Sequence, residues 1–205
     1  MALTRYLDHP VLWEASRHSF EFVLGLYKKR NALMGEWGLL TTQPTVLDVG
    51  CGTGHYSHVT EGDYLGIDMN ESYILHARRR HPGGRRSFLA MSVDEVSRLD
   101  RSFDLVLMVD ILHHLDDAQC SSLLATIAGM APRHLLSFEP VLDQTNPVGK
   151  WMVASDRGRH MRSSEGVRGL LCAAGFEVCR SRAMNHGMVY RTVGYQCAPG
   201  QGVRR

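Results

Sequence analysis

The sequence predicts an α/β fold: a doubly wound, mostly parallel open sheet with a helical cap ahead of it. Three observations carry this expectation. Short apolar runs alternate with helical patterns from residue 45 to 138, the beat of right-handed strand-helix-strand units. Phe103 to Val109 is an almost unbroken apolar run, as a strand covered on both faces requires. The apolar stretch Thr45 to Val49 runs into three alternating glycines, a turn that belongs at the carboxyl end of a first parallel strand. With 205 residues and 44% apolar content the chain has material for one full core and little for a second. It reads as one domain over 1–205, divided into a cap (1–40), a core (41–140) and a connection with closing strands (141–198).

The elements follow in order. From Pro10 to about Trp37, Leu12, Phe20, Val23, Leu24, Tyr27 and Met34 recur mainly at helical spacing, which predicts an amphipathic helix interrupted near Gly25. Strands are expected at 45–49, 64–67, 88–91, 103–109 and 134–138. Helices are expected from Asn70 to about Arg80 and from Asp116 to about Met130, each opening on a side chain that caps helices. Pro82-Gly83-Gly84 marks a turn. Val141 to about Ser163 is too long for a passive link and is expected to carry function. Ser164 to Ala174 reads as a helix closed by Gly175, followed by strands at 176–182 and 188–197 and a tail from Pro199.

The stretch TVLDVGCGTG, residues 45–54, holds the densest chemical information. Gly50, Gly52 and Gly54 let the chain turn sharply and bring bare backbone against a ligand. Their spacing differs from the Gly-x-Gly-x-x-Gly that receives a pyrophosphate, and Asp48 beside them repels phosphate but suits a ligand bearing positive charge. A second strand, YLGID, ends in Asp68, placed to accept hydrogen bonds from ribose hydroxyls. With FDLVLMVDILHHL following in order, the chain resembles the class I S-adenosylmethionine-dependent methyltransferases over roughly residues 45–140. The resemblance implies a Rossmann-like sheet of seven strands, completed by the two C-terminal ones as an antiparallel pair. It also implies S-adenosylmethionine as cofactor, S-adenosylhomocysteine as product, and contacts from residues just after each strand. These are Asp48, Gly50, Cys51 and Gly52 after the first, Asp68 and Met69 after the second, Ser92 and Val93 after the third, and Val109 after the fourth. Many members of that family carry an acid on the adenine amino group where this chain has Ser92; Asp94 stands in reserve.

His113 and His114, beyond the fourth strand, are the candidates for proton transfer, since histidine titrates near neutrality; helix packing is the competing role. Acceptor contacts are expected from Trp13 and Arg17 in the cap and from Glu139, Lys150, Arg157 and Arg159 around the long connection. Residues 1–149 carry 13 Lys and Arg against 18 Asp and Glu, while residues 150–205 carry 10 against 3. This basic C-terminal part suits a small anionic acceptor, although solvated surface arginines explain the same pattern.

No apolar run reaches the roughly 18–20 residues of a membrane span, and the N-terminus lacks the plan of a signal peptide. The five cysteines form no C-x-x-C pair, so neither a zinc site nor a redox couple is indicated. Without a dense Lys/Arg run interleaved with aromatics, nucleic acid is a secondary expectation. The chain thus reads as a cytoplasmic enzyme, monomer or homodimer, methylating oxygen or nitrogen of a small metabolite. The alternatives are action on tRNA or protein and a cofactor-binding subunit dependent on a partner.

Overall fold

A computed structural model of the chain describes residues 24–40, 43–99, 101–156, 158–187 and 190–200. The elements are α1 (Leu26–Glu36), β1 (Val46–Val49), β2 (Tyr64–Asp68), α2 (Glu71–Arg80), β3 (Arg86–Ala90), α3 (Val93–Ser97), β4 (Leu105–Val109), α4 (Asp117–Gly129), β5 (His134–Pro140), α5 (Pro147–Ala154), α6 (Ser164–Ala173), β6 (Phe176–His186) and β7 (Tyr190–Pro199), with single 3-10 turns at His55–His58 and Leu112–His114. The seven strands form one sheet in the order β3-β2-β1-β4-β5-β7-β6. β1 to β5 are parallel, and β7 runs antiparallel to both β5 and β6. The order reverses between β1 and β4, which opens a crevice at their carboxyl ends.

Strand side chains alternate between two cores, as burial on both faces demands. Leu47, Leu65, Val106 and Met108 face α4 and α6 with Cys120, Leu124, Val167 and Leu171. Val46, Tyr64, Leu105, Leu107 and Phe138 face α1 and α2 with Leu33, Met34, Ile74 and Ala77. The helix starts are set by caps. Asn70 accepts from the amides of Ser72 and Tyr73, Asp116 from Gln119, and Ser163 from Gly166.

The departures from expectation have local causes. β3 starts at Arg86 rather than Phe88, because the guanidinium of Arg86 is fixed by the carbonyls of Ser57 and Thr60 and an edge strand tolerates such a residue. Of the helix expected from Pro10, residues up to 23 lie outside the described set; α1 begins after Gly25, whose φ of 60° supplies the expected break. Within 141–163 the chain forms α5, capped by Asn146 with Pro147 in its first turn. β6 continues to His186, and β7 reaches Pro199.

The connection around α5 is tied down at both ends. Gln144, 6% exposed, donates through Nε2 to the carbonyls of Val141 and Arg191 and accepts from the amide of Arg191, fastening the connection to β7. At the far end Arg162 donates to the carbonyls of Leu112 (2.7 Å), Leu115 (2.9 Å) and His160 (2.9 Å) and to the Asp117 carboxylate. It therefore closes the 3-10 turn that follows β4 and is not free to meet an anion. Arg162→Ala is expected to lower stability by about 2–3 kcal/mol, since it orphans several carbonyls at once. Arg162→Lys should recover less than half, because an ammonium does not span them as the planar fork does. Urea denaturation checks this, and an unchanged midpoint in the alanine variant would refute the clamp.

Candidate active site

A cavity of about 640 Å³ occupies the crevice between β1 and β4. Its floor is the glycine turn. The amides of Gly50 and Cys51 both donate to the carbonyl of Ile67, so the turn is hung from the end of β2. Gly50 has a φ of 71° and Gly52 of 55°, and a Cβ on Gly50 would stand 2.0 Å from Cδ1 of Ile111. Any side chain there would both strain the backbone and collide. The Asp68 carboxylate accepts from the amide of Gly52 (2.9 Å) and from that of Asn70 (2.8 Å), so it holds the turn while lining the cavity. Burial raises its pKa, against the pull of these amides. Asp48 lies beneath, 1% exposed, accepting from the hydroxyl of Tyr64 at 2.5 Å.

The wall facing α1 holds an ion pair that is buried on its arginine side. Arg30, 2% exposed, donates through both terminal nitrogens to Asp110 at 2.8 and 2.7 Å. Burial alone would loosen the Arg30 proton; the charge and hydrogen bonds of Asp110 outweigh it and hold the pKa above the ordinary value. Asp110 itself sits at a φ of 58°, a conformation that non-glycine residues rarely adopt and that tends to mark sites. Arg30 Nε and the buried hydroxyl of Tyr56 make no close hydrogen bond, although the two side chains interact with each other. The ring of Tyr27 lies 3.5 Å from that of His55.

Opposite, three donors converge on Glu139, which is 1% exposed. The amides of Ile111 and Leu112 bond to Oε1 at 3.0 Å each, and Nδ1 of His113 lies 2.9 Å from Oε2. Nε2 of His113 is 3.5 Å from Oδ1 of Asp156, in the segment leaving α5. Burial would lower the His113 pKa, but the carboxylates of Asp156 and Glu139 outweigh it and push it up to about 10. His113 is thus a charged clamp at neutral pH with both nitrogens engaged, rather than a free base. The segment fits closely around it: the amide of His160 donates to the His113 carbonyl, and a Cβ on Gly158 would stand 2.1 Å from the imidazole Cδ2. His114 is exposed and lines the cavity.

Of the residues singled out in the sequence, Asp48, Gly50, Cys51, Gly52, Asp68, Val109, His113 and His114 line this one cavity. Met69 is 75% exposed beside Asp68. Ser92 is occupied otherwise: its hydroxyl and amide form a reciprocal box with Glu95 that caps α3, whose first residue is Val93, and neither lines the cavity. Asp94 accepts from the Thr126 hydroxyl on α4. Glu139 acts behind the wall through His113. Lys150 and Arg159 are exposed and outside the lining, where α5 instead presents Val148, Trp151 and Met152. Trp13, Arg17 and Arg157 lie outside the described residues. Arg30, Tyr73, Asp156 and Tyr190 also line the cavity and were not singled out as contacts; Tyr56, Tyr27 and Asp110 are on the lining too. A buried arginine within an apolar helix face was the one signal that could have found Arg30.

Residues 46–131 match the methyltransferase domain family. The fold is that of the Rossmann-like class I methyltransferases, the class that the three sequence motifs resemble. Over 125 residues the chain is 33% identical to 2-methyl-6-phytyl-1,4-hydroquinone methyltransferase of Synechocystis sp., covering 56% of this chain and 36% of that protein. It therefore spans about a third of the length of that curated relative. Among solved structures, magnesium protoporphyrin IX methyltransferase from Synechocystis with bound S-adenosylhomocysteine superposes with a TM-score of 0.63 at 19% identity, covering 83% of this chain and 81% of that one. The N-methyltransferase NodS from Bradyrhizobium japonicum gives 0.64 at 16% identity, covering 85% and 97%.

The charged state of His113 has a consequence for stability. Its folded pKa lies above the free value of 6.5, so its contribution is complete below pH 6.5 and is lost as the pH rises through 10. The melting temperature gap between the native chain and His113→Gln is expected to be widest near pH 6 and to narrow steadily toward pH 10. A gap that stays constant across this range would refute the clamp.

Proposed function

We propose that this chain transfers the methyl group of S-adenosylmethionine to an oxygen or nitrogen of a small-molecule acceptor. The observation that carries this reading is a single cavity joining the glycine turn and Asp68 at one end to His114 and Asp156 at the other. Such a cavity has room for a donor and an acceptor together. The residues present fit the cofactor: Gly50 and Gly52 leave bare backbone for its amino-acid portion, and Asp68 is placed for its ribose hydroxyls. The buried Arg30 and Tyr56 add polar side chains to the same lining. The matching family and the names of the similar proteins support the same chemistry.

S-adenosylmethionine, when bound, supplies an electrophilic methyl carbon on a neutral leaving group. The chain's own contribution is to hold the acceptor in line with that carbon, where effective molarity lowers the barrier. His113 holds its proton at neutral pH and serves as a fixed charge. His114 and Asp156, both on the lining, are the groups placed to receive a hydrogen from an acceptor hydroxyl or amine. No helix among the described residues is long and apolar enough to cross a membrane. A cytoplasmic site of action is part of this reading, supported by cysteines that are free throughout the described chain.

Isothermal titration of S-adenosylhomocysteine tests the donor half. Asp68→Asn should weaken binding about ten- to a hundred-fold, the cost of charge-assisted hydrogen bonds to a diol. Failure of the native chain to bind the compound would remove the reading altogether.

A further inference from the structure

The cavity's charges are already spent, apart from one carboxylate oxygen. Arg30 is neutralised by Asp110, and His113 stands between Glu139 and Asp156. Asp48 is taken by Tyr64, and both oxygens of Asp68 are taken by backbone amides. Asp156 differs. Its contacts with His113 Nε2 (3.5 Å) and with the amide of Gly158 (2.7 Å) both fall on Oδ1, and its side chain stays 32% exposed. Oδ2 has no partner among the described residues. These contacts, with burial acting against them, keep the carboxyl below its ordinary range, so it is charged at neutral pH.

Much of the cavity lining that Asp156 shares is apolar or aromatic. Trp151 and Met152 come from α5, Tyr190 from β7, and Ile111 and Pro140 from the ends of β4 and β5. Trp151 is 68% exposed although it lines a cavity, and Val148 beside it is 50% exposed. Aromatic walls of this kind recover their exposed area by closing on a flat ligand, through stacking and removal of water. A carboxylate or phosphate on that ligand would face Asp156, which shares the single charge of His113 with a second carboxylate, Glu139, and, among the described lining residues, no unpaired cation.

We propose that Asp156 is the acceptor-contacting residue of this site and that it selects a flat, apolar or aromatic acceptor, neutral or cationic, presenting an O–H or N–H to Oδ2. This rests on the methyl-transfer reading and names its acceptor class. It differs from the expectation drawn from the basic C-terminal part: the exposed Lys150 and Arg159 belong to the outer surface, and the described lining behind them offers an anion no unpaired cation.

The test uses the full chain saturated with S-adenosylhomocysteine and two isosteric probes, 2-naphthol and 2-naphthoate, titrated by calorimetry at neutral pH. The neutral probe is expected to bind at least ten-fold more tightly than the anionic one. Asp156→Asn should bring the two within about three-fold while leaving S-adenosylhomocysteine affinity within two-fold of native, which shows that the variant is folded. Equal or tighter binding of the naphthoate, saturable binding of neither probe, or an unchanged preference in Asp156→Asn would each overturn the inference while the donor site stands. If Asp156→Asn loses S-adenosylhomocysteine binding, Asp156→Ser is read in its place by the same criteria. Absence of S-adenosylhomocysteine binding by the native chain would instead remove the methyl-transfer reading beneath it.

Discussion

A carboxylate buried to 1% exposure has to be neutralised where it stands, and Glu139 meets that demand in a way that shapes the whole acceptor side of the site. Its two oxygens gather the amides that begin the turn after β4 and one nitrogen of His113. The gathered donors bring the end of β4 against the end of β5. The imidazole that completes the set is thereby charged, and its far nitrogen then calls for a second anion. Asp156 answers, and the segment after α5 follows it into place. One buried acid thus fixes a turn, a ring orientation and a loop in sequence. Removing either partner would leave an uncompensated charge, which is far more costly than never having had the pair.

The cavity that results is electrostatically quiet for a place with so many ionisable groups. Its cations are matched by carboxylates within 4 Å, and the glycine turn contributes amides that are already satisfied by Ile67 and Asp68. Preorganisation of this kind means that a ligand entering the site meets dipoles and charges that need little rearrangement. Among the described residues, polar atoms there without a close partner include Oδ2 of Asp156, Nε of Arg30 and the hydroxyl of Tyr56. They lie in a lining that is otherwise mainly aromatic and aliphatic.

Much of this was legible in the sequence, and for definable reasons. Period and composition carry information about burial on both faces of a sheet, so the central strands and the capped starts at Asn70 and Asp116 could be read directly. The glycine turn was readable because a left-handed backbone beneath a ligand leaves few residue types to choose from. What could not be read was pairing between distant residues. Nothing local distinguishes Arg162, which closes a turn fifty residues earlier, from Lys150, which stays in solvent. Likewise nothing local joins Arg30 to Asp110, which pair across 80 residues. The basic surplus of the C-terminal part places Lys150 and Arg159 on the exposed surface, outside the cavity lining. α5 was not separated from the long connection of residues 141–163, although Asn146 followed by Pro147 is a helix-opening pair.

The Arg30–Asp110 pair carries a consequence for how such a protein can change over generations. Helix α1 is joined to the carboxyl end of the central strand by a doubly hydrogen-bonded contact of which Arg30 is 2% exposed. Losing Asp110 strands the buried Arg30, so a lineage cannot pass through that replacement cheaply. Exchanging the two is also blocked, because the left-handed backbone at position 110 tolerates a short Asp far better than a long Arg. The helical cap and the sheet are therefore inherited as a unit. Diversification of the acceptor side is steered toward α5 and the segment that leaves it, where an exposed tryptophan can be exchanged without stranding a charge.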